Sequence, residues 1–347
     1  AIDGSKFRAS NSKRNNYSPK KLTRHINYIN EKIDNYLQEL DETDQAEAGE
    51  HRPDAQEIEA RIRQLKERKV KYQGYQDKLE KSNQKELSTT DCDARLMANN
   101  NNSVEVSYNI QTTVDAQYKL IADFKVTSKP NDLGQLAPMA MRARKILHNK
   151  NFTVLADKGY YHHRNLAYCS SKGITTYVTK QSYANSTGER EFYPDKFSYD
   201  QKQDCYYCPT GQRLSYYRDR KKNGKLLGQD YRNPQACRDC PVHNRCTRNG
   251  KGRTIFRAIH QDFLDEIDRQ TQENLKTYKL RQMIVEHPFG TIKRSWGASY
   301  FLTRGKTSVS AEMALSFLAY NLKRVINILG VKEMIRRLQE NREAVPV

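Results

Sequence analysis

The sequence lacks long apolar runs, a secretory leader pattern and all but one tryptophan in its 347 residues. No segment reaches the roughly 18 apolar residues that a membrane span needs. The opening AIDGSKFRAS has no apolar signal-peptide core. These absences exclude a membrane-spanning class, and we expect an intracellular protein with no membrane partner.

Acidic residues are outnumbered. The 41 Asp and Glu face 60 Lys and Arg, a formal charge of +19. Such a surface repels itself unless it meets a polyanion, and nucleic acid is the usual one. The 36% of hydrophobic residues are enough for a packed core. The composition therefore predicts a folded protein that binds nucleic acid, with a basic protein lacking that partner as the alternative.

Cysteine is sparse and clustered. Seven are present, an odd number unlike a secreted disulfide framework, and five of them share one short segment. Cys205-x2-Cys208 and Cys237-x2-Cys240 have the paired spacing of a tetrahedral structural Zn²⁺ site, and Cys246 is a fifth candidate ligand. Spacing alone favours Cys205 over Cys246, and a set of reduced thiols is the alternative interpretation.

Hydrophobic periodicity divides the chain into parts of different character. Two apolar stripes at helical spacing predict a helical hairpin, and the alternating section after it predicts strands 106–114, 119–127, 152–157 and 174–178 with helices 133–147 and 164–171. A Tyr-, Cys- and Arg-rich segment then interrupts the helices predicted over 261–293 and 310–329. We expect a first core strand (1–19), the helical hairpin (20–88), the catalytic core (89–180), a Cys-rich basic insertion (181–256) and the helical remainder of the core (257–347).

Three acids stand out by their context. Asp3 lies on the opening strand, Asp157 ends the apolar run VLAD, and Glu286 lies in VEHPFGTIKR. Carboxylates that converge from separate elements need a hard divalent cation between them, such as Mg²⁺ or Mn²⁺. A pair of such ions can activate a phosphodiester and its attacking nucleophile. The alternative for each Asp is a purely structural role as a helix-cap or turn residue.

Several segments together resemble a known family: IDGSKFRASNS, STTDCDARLM, SYNIQTTVDAQYKLI, VLADKGYY, VEHPFGTIKR and LAYNLKRVINILG. They are similar, over nearly the whole chain and in order, to the DDE transposases of bacterial insertion sequences. The branch is the one with a helical insertion after the first Asp and a Cys-bearing insertion before the Glu. Family members carry a further N-terminal DNA-binding domain, and the start of this chain in mid-strand leads us to expect that such a part is missing.

The resemblance implies an α/β fold with a ribonuclease H-like core, a mixed sheet flanked by helices. It implies that Asp3, Asp157 and Glu286 hold two Mg²⁺ or Mn²⁺ ions for DNA cleavage at transposon ends and transfer of the 3′-hydroxyl into target DNA. It favours a zinc set of Cys208, Cys237, Cys240 and Cys246. The DNA-contacting residues that we expect are Lys293, Arg294, Arg281, Tyr278, Arg8 and Lys13. A homodimer on DNA, in the bacterial cytoplasm at the nucleoid, completes these expectations.

Two departures from the family pattern concern the Glu region. Four residues rather than three separate Arg281 from Glu286, which rotates Arg281 by about 100° and puts its role in question. Pro288 predicts either a kink or a helix that starts at Glu286. On a continuous helix, Lys293 would share a face with Glu286 and meet DNA phosphate.

Alternatives remain for the first acid and for the activity. Asp115 in TTVDAQ, with Asp91 and Asp93 before it, competes with Asp3, but Asp115 falls where we predict a hairpin turn. Asp3 is preferred because the first acid of this fold lies on the first strand. The rival functions are a nuclease of the same fold that does not join DNA, and a non-catalytic zinc-stabilised DNA-binding protein derived from a transposase.

Overall fold

The computed structural model describes residues 1–44, 55–98, 103–149, 151–181 and 184–343. About half of the chain is helical and the rest includes mixed sheets, so the predicted α/β class is confirmed. The chain forms two compact units. Unit one comprises residues 1–3, 111–124 and 131–288, and unit two comprises residues 4–110, 125–130 and 289–347.

The strands are β1 (Ile2–Arg8), β2 (Asn16–Tyr17), β3 (Leu87–Ser88), β4 (Arg95–Ala98), β5 (Val104–Val114), β6 (Ile121–Thr127), β7 (Thr153–Ala156), β8 (Thr175–Val178), β9 (Ser198–Asp200), β10 (Cys205–Tyr207), β11 (Arg213–Lys222), β12 (Lys225–Arg232) and β13 (Thr254–Ala258). The helices are α1 (Pro19–Asp44), α2 (Ala55–Ser82), α3 (Leu136–Ile146), α4 (His163–Ser171), α5 (Pro234–Arg238), α6 (His243–Cys246), α7 (Gln261–Glu273), α8 (Leu275–Gly290), α9 (Lys306–Leu329) and α10 (Val331–Glu343). Each predicted strand and helical stretch has a counterpart with shifted ends, whereas α10, the short strands β2 to β4 and the elements of the Cys-rich segment were not predicted.

The main sheet has the strand order β4-β5-β1-β7-β8, with β6 also paired to β5. Strands β1, β7 and β8 run parallel, and β4 is antiparallel to β5. The short apolar strand β7 is buried at Val154, Leu155 and Ala156, as a parallel strand covered on both faces should be. In unit one, Ile2 and Ala156 share a core with α3, α4 and α7.

The helical hairpin of unit two is antiparallel, as its sequence predicts. The His25 ring stacks on Tyr72 with 5.2 Å between centroids, whereas Tyr36, farther along α1, bonds to Arg61 near the start of α2. Strands β2 and β3, which flank the two helices, pair with each other and close the base of the hairpin. The predicted apolar stripes meet in one core, formed by Ile29, Ile33, Ile58 and Ile62.

The Cys-rich segment of unit one forms an antiparallel sheet with the strand order β13-β12-β11-β10-β9. Its core consists of Phe197, Tyr206, Leu214, Tyr231 and Ile255. After Leu214, every residue of β11 is exposed. Three of the five core residues of this small sheet are therefore aromatic.

The single helix predicted over 261–293 is divided in three. Helix α7 ends before Asn274, α8 contains Pro288 in its last turn, and a π-helical turn follows over Thr291–Ser295. Pro288 lacks the N–H of a helical hydrogen bond. In the turn that follows α8, the Trp296 N–H donates to the Thr291 carbonyl at 3.0 Å, the i→i+5 bond of a π turn. Glu286 lies late in α8, so the alternative in which a helix starts at Glu286 is wrong.

Helix α9 is buried on one face only. Val309, Met313, Phe317 and Tyr320 are buried, whereas an apolar row on the same helix is exposed. That row consists of Leu315, Leu318 and Leu322. The strongly apolar sequence of 310–329 predicts a core helix, which is correct for the first face and wrong for the second. Within the described ranges, we find no helix that combines the length and the apolarity of a membrane span.

Candidate active site and cysteine cluster

Two of the predicted acids lie side by side in unit one. Ile2 of β1 is paired in register with Ala156 of β7, so Asp3 and Asp157 each follow a registered residue on neighbouring parallel strands. Neighbouring strands are about 4.8 Å apart. Asp157 Oδ1 accepts a hydrogen bond from the Lys158 backbone N–H at 2.7 Å and so caps a short 3₁₀ turn. The two carboxylates therefore share one region of the sheet, with Asp157 fixed by its own turn.

A third carboxylate, missed by the sequence reasoning, belongs to the same region. The Tyr160 hydroxyl donates to Gln111 Oε1 at 2.5 Å, and Gln111 Nε2 donates to Asp132 Oδ1 at 2.6 Å. A Cβ atom built on Gly159 would lie 3.6 Å from Asp132 Oδ2, so the loop of Asp132 abuts the turn after Asp157. The available signal was an acid between a strand and a helix in KPNDLGQL.

The electrostatics of Tyr160 support this grouping. Burial raises the pKa of its hydroxyl well above the ordinary value, and the charges of Asp132, Asp3 and Asp157 raise it further. Tyr160 itself is fully buried. Three carboxylates thus act on one phenol, and their mutual repulsion makes the region suited to a cation.

Helix α8 contributes a cation and the third predicted acid. Arg281 Nη2 lies 3.8 Å from Asp157 Oδ1, and the Arg281 side chain is only 18% exposed. Its guanidinium also lies 5.9 Å from the ring centroid of Tyr278, whose hydroxyl hydrogen-bonds Thr179 Oγ1 at 2.9 Å. The altered spacing that put Arg281 in question does not keep it from Asp157.

Glu286 is exposed and accepts a hydrogen bond from Gln282 Nε2 at 2.9 Å. It lies five positions after Arg281, which corresponds to about 7.5 Å along the helix axis. In the part of the chain that the structure describes, no group of three or more His, Cys, Asp or Glu side chains is arranged to hold a metal ion. The structure thus brings Asp3 and Asp157 together but does not close a ligand set with Glu286.

Asp115, the competing first acid, has a local structural role. Its Oδ2 accepts the Tyr118 backbone N–H at 2.6 Å, and its own N–H donates to Leu120. This is the turn between β5 and β6 that the sequence predicts. The alternatives before it are also engaged in unit two, since Asp91 accepts the Tyr108 hydroxyl at 2.7 Å and Asp93 accepts the Lys306 backbone N–H at 2.9 Å.

The remaining predicted DNA contacts lie in unit two. The Lys293 ammonium donates to the carbonyl of Lys6 and lies 4.2 Å from the centroid of the Phe7 ring. Arg8 lies over the Tyr300 ring at 5.3 Å. Lys13 and Arg294 are exposed. The continuous α-helix that would place Lys293 on the face of Glu286 ends at Gly290, so the reason for a shared face does not hold.

Four cysteines surround one small cavity in unit one: Cys208, Cys237, Cys240 and Cys246. Burial raises the pKa of the Cys246 thiol; Arg253 opposes this rise, and the thiols of Cys237, Cys208 and Cys240 add to it. Cys205 is fully buried on β10 and is not among the residues lining this cavity. All four cysteines implied by the resemblance thus line this cavity and Cys205 does not, although within the described ranges no three of them are arranged to hold a metal ion.

Two glycines and a backbone donor shape the chain around the clustered sulfurs. The Gln212 backbone N–H donates to Cys208 Sγ at 3.3 Å, and Gly211 has a φ of +80°, which turns the chain back towards the sulfur. Gly252 packs against Cys237, since a Cβ atom at this glycine would lie 2.6 Å from that of Cys237.

Comparison with known proteins adds one match. The family described as transposase DDE domain matches residues 207–326, about a third of the chain. This match supports a relation of the chain to the DDE transposases. No curated protein and no solved structure matches it. The matched segment contains Glu286, Lys293 and the four clustered cysteines, whereas Asp3 and Asp157 precede it.

Proposed function

We propose that this chain is the catalytic region of a DDE transposase of a bacterial insertion sequence, with a ribonuclease H-like core. It cleaves DNA at transposon ends and transfers the freed 3′-hydroxyl into target DNA. The observation that carries the proposal is the register of Ile2 with Ala156, which sets Asp3 beside Asp157. The DDE domain match over the segment containing Glu286 supports the same conclusion.

In this proposal Asp3, Asp157 and Glu286 hold two Mg²⁺ or Mn²⁺ ions. Their carboxylate oxygens are the ligands that these hard cations prefer. Bound there, the ions would stabilise the charge on the scissile phosphate and activate the attacking oxygen. The donor chemistry and the electrostatic grouping of Asp3, Asp157 and Asp132 fit such a cation.

The chain's own residues have distinct tasks in this scheme. Asp157 is oriented by its turn, and Arg281 balances its charge at 3.8 Å. A DNA phosphate brought to this region would meet Arg281 as a charge-assisted donor. We further propose that two copies act together on paired ends, because each transposon end needs its own set of carboxylates.

For the cysteine cluster we propose a structural Zn²⁺ held by Cys208, Cys237, Cys240 and Cys246. Four thiolates close a tetrahedral site and leave no position for a reactive water. The shared cavity, the N–H donor to Cys208 and the mutual effect of the thiols on Cys246 support it. Its task is to stabilise the insertion, whose core is small.

The test of the proposed activity compares the chain with Asp157→Asn in Mn²⁺-dependent nicking and joining of plasmid DNA carrying the element's ends. We expect the unmodified chain alone to produce donor DNA joined to target DNA. Nicking without joining would favour a nuclease of the same fold. Equal cleavage by the Asp157→Asn variant would refute the role of the carboxylates.

A further inference from the structure

Charge is distributed unevenly along the helical hairpin. At the start of α1, residues 19–30 contain three Lys or Arg and no Asp or Glu, and residues 68–76 of α2 contain three more with no acid. The antiparallel pairing of α1 with α2 brings these two stretches together at the base of the hairpin, beside β2 and β3. The acids of the described helices lie farther out or flank these stretches: Glu31, Asp34, Glu39 and Asp41 on α1, and Glu57, Glu59, Glu67, Asp77 and Glu80 on α2.

At the base of the hairpin, cations crowd one another. The pKa of His25 is lowered by burial and then by the positive charges of Lys21, Arg68 and Arg24. Lys21 is committed to structure, since its ammonium donates to three backbone carbonyls at 2.8–3.0 Å. Lys20, Arg24 and Arg68 are exposed, and within the described ranges the structure gives them no ion pair. These three side chains form what we call the basal cation patch.

The patch stands on an ordered scaffold. The rings of Tyr17, His25, Tyr72 and Tyr75 pack together with centroids 5.2–6.3 Å apart. The pairing of β2 with β3 joins the segment before α1 to the segment after α2. Because the backbone that bears the cations is already ordered, binding an anion there costs little conformational entropy.

The surface also offers a groove. Lys20 and Arg24 line it with Thr23, Asn27, Tyr28 and one acid, Glu31, over a volume of about 600 Å³. The two cations are one helical turn apart, about 6 Å along the axis. Tyr28 is 52% exposed and can donate its hydroxyl to a phosphate oxygen. Apolar side chains of the kind that enter a lipid surface are not among the residues lining this groove.

We propose that the basal cation patch of the helical hairpin, Lys20, Arg24 and Arg68, binds the phosphate backbone of duplex DNA without regard to sequence. The partner is a polyanion because these three cations make no ion pair in the described ranges and outnumber the single carboxylate, Glu31, that lines the groove. Lysine and arginine on a helix face contact phosphates, which position DNA but do not read its bases. The inference does not require that the proposed chemistry be correct, since it concerns binding alone.

The test measures the binding of a fluorescent duplex of arbitrary sequence by anisotropy, in EDTA so that no cleavage intervenes. The test variant is Lys20→Glu with Arg24→Glu. The matched control is Arg63→Glu with Lys66→Glu, which reverses two exposed cations on the outer part of α2. A glutamate near the first turn of α1 favours the helix dipole, so the test variant should fold; circular dichroism and melting verify this.

We expect the basal reversal to weaken binding by at least about tenfold and to lower the slope of log Kd against log salt by about 2, one unit for each lost phosphate contact. The control pair should change both values much less. Equal weakening by both pairs would reduce the effect to net charge and overturn the proposal. Displacement of the duplex by polyglutamate as readily as by unlabelled duplex would also overturn it, in favour of an acidic protein partner.

Discussion

The Tyr160 hydroxyl and the Gln111 side chain are hydrogen-bonded at 2.5 Å in the interior of unit one, where both are fully buried. Gln111 Nε2 also donates a hydrogen bond to Asp132 Oδ1 at 2.6 Å, so the side-chain carbonyl of Gln111 faces Tyr160 and its amide nitrogen faces Asp132. The pair thereby links the turn that follows Asp157 to a second loop of the same unit. A buried relay of this kind is rigid because each member depends on the other for its hydrogen bond.

The first prediction concerns the stability of this relay. Gln111→Leu leaves the Tyr160 hydroxyl buried without its acceptor, and we expect a loss of about 1–3 kcal/mol in the free energy of unfolding. Urea denaturation measures it. Adding Tyr160→Phe removes the orphaned hydroxyl, so the double variant should be little less stable than Gln111→Leu alone. Additive losses would contradict the relay.

The second prediction concerns the charge of Asp132. Asp132→Asn keeps an oxygen to accept from Gln111 but removes the negative charge near Asp3 and Asp157. If the proposed metal centre is correct, Mn²⁺ affinity should fall about tenfold while the melting temperature changes little. Isothermal titration calorimetry measures the affinity. Asp123→Asn is the control, since Asp123 pairs with Arg142 instead. An unchanged affinity in Asp132→Asn would exclude Asp132 from the centre.

The sequence predicts the part of the site that depends on local pattern. The apolar run that ends in Asp157 forms a buried strand with an acid at its end. The turn at Asp115 is likewise encoded by neighbouring residues, since Asp115 bonds to Tyr118 only three positions away. Asp132 was missed because its place is set by Gln111, 21 positions away in the chain, and no local pattern encodes that bond. The exposed leucines of α9 were misjudged for a similar reason, since apolar content does not reveal which face finds a partner.

Arg281 shows the limit of helical spacing as a guide. Its spacing from Glu286 places Arg281 at a different angle around the helix axis from the family position. Its long side chain nevertheless lies 3.8 Å from Asp157. A side chain of that length compensates for a shift of the backbone, so the contact depends on tertiary packing.

The third prediction uses this contact. Arg281→Ala removes a cation beside Asp157, so Mn²⁺ should bind several-fold more tightly, whereas DNA cleavage should slow by about 100-fold through loss of a phosphate donor. Titration calorimetry and plasmid nicking measure the two effects separately. Arg281→Lys, which keeps the charge, should leave metal affinity near its original value. Parallel losses of both metal binding and cleavage would argue for a merely structural Arg281.

The fourth prediction is a pH dependence of stability. The His163 ring stacks on His260 with 5.4 Å between centroids, and burial, then His162, His260 and Arg164, lower the pKa of His163 below 6.5. The unfolded chain then binds more protons than the folded one as pH falls through this range, so stability decreases. Melting temperatures between about pH 7.5 and 5.5 should fall. His163→Gln should flatten this decline; an unaltered profile would contradict the assignment.

The fifth prediction concerns Gly252, which has a φ of +86° and no room for a side chain, because its Cβ would lie 2.6 Å from that of Cys237 and 2.9 Å from its sulfur. Gly252→Ala should therefore destabilise the insertion by more than about 1 kcal/mol and displace Cys237. Gly250→Ala is the matched control, since nothing lies within 4 Å of its Cβ.

The melting temperature tests the steric argument, and the zinc content tests the zinc proposal. Zinc is measured with a chromogenic chelator after the thiols have been modified. If the clustered thiols hold zinc, Gly252→Ala should bind less of it, and Gly250→Ala should bind as much as the unmodified chain. A lower melting temperature for Gly252→Ala without zinc in any of the three proteins would keep the steric argument and refute the zinc proposal. Equal melting of both variants would refute the steric argument, because a Cβ at residue 252 could then be accommodated beside Cys237.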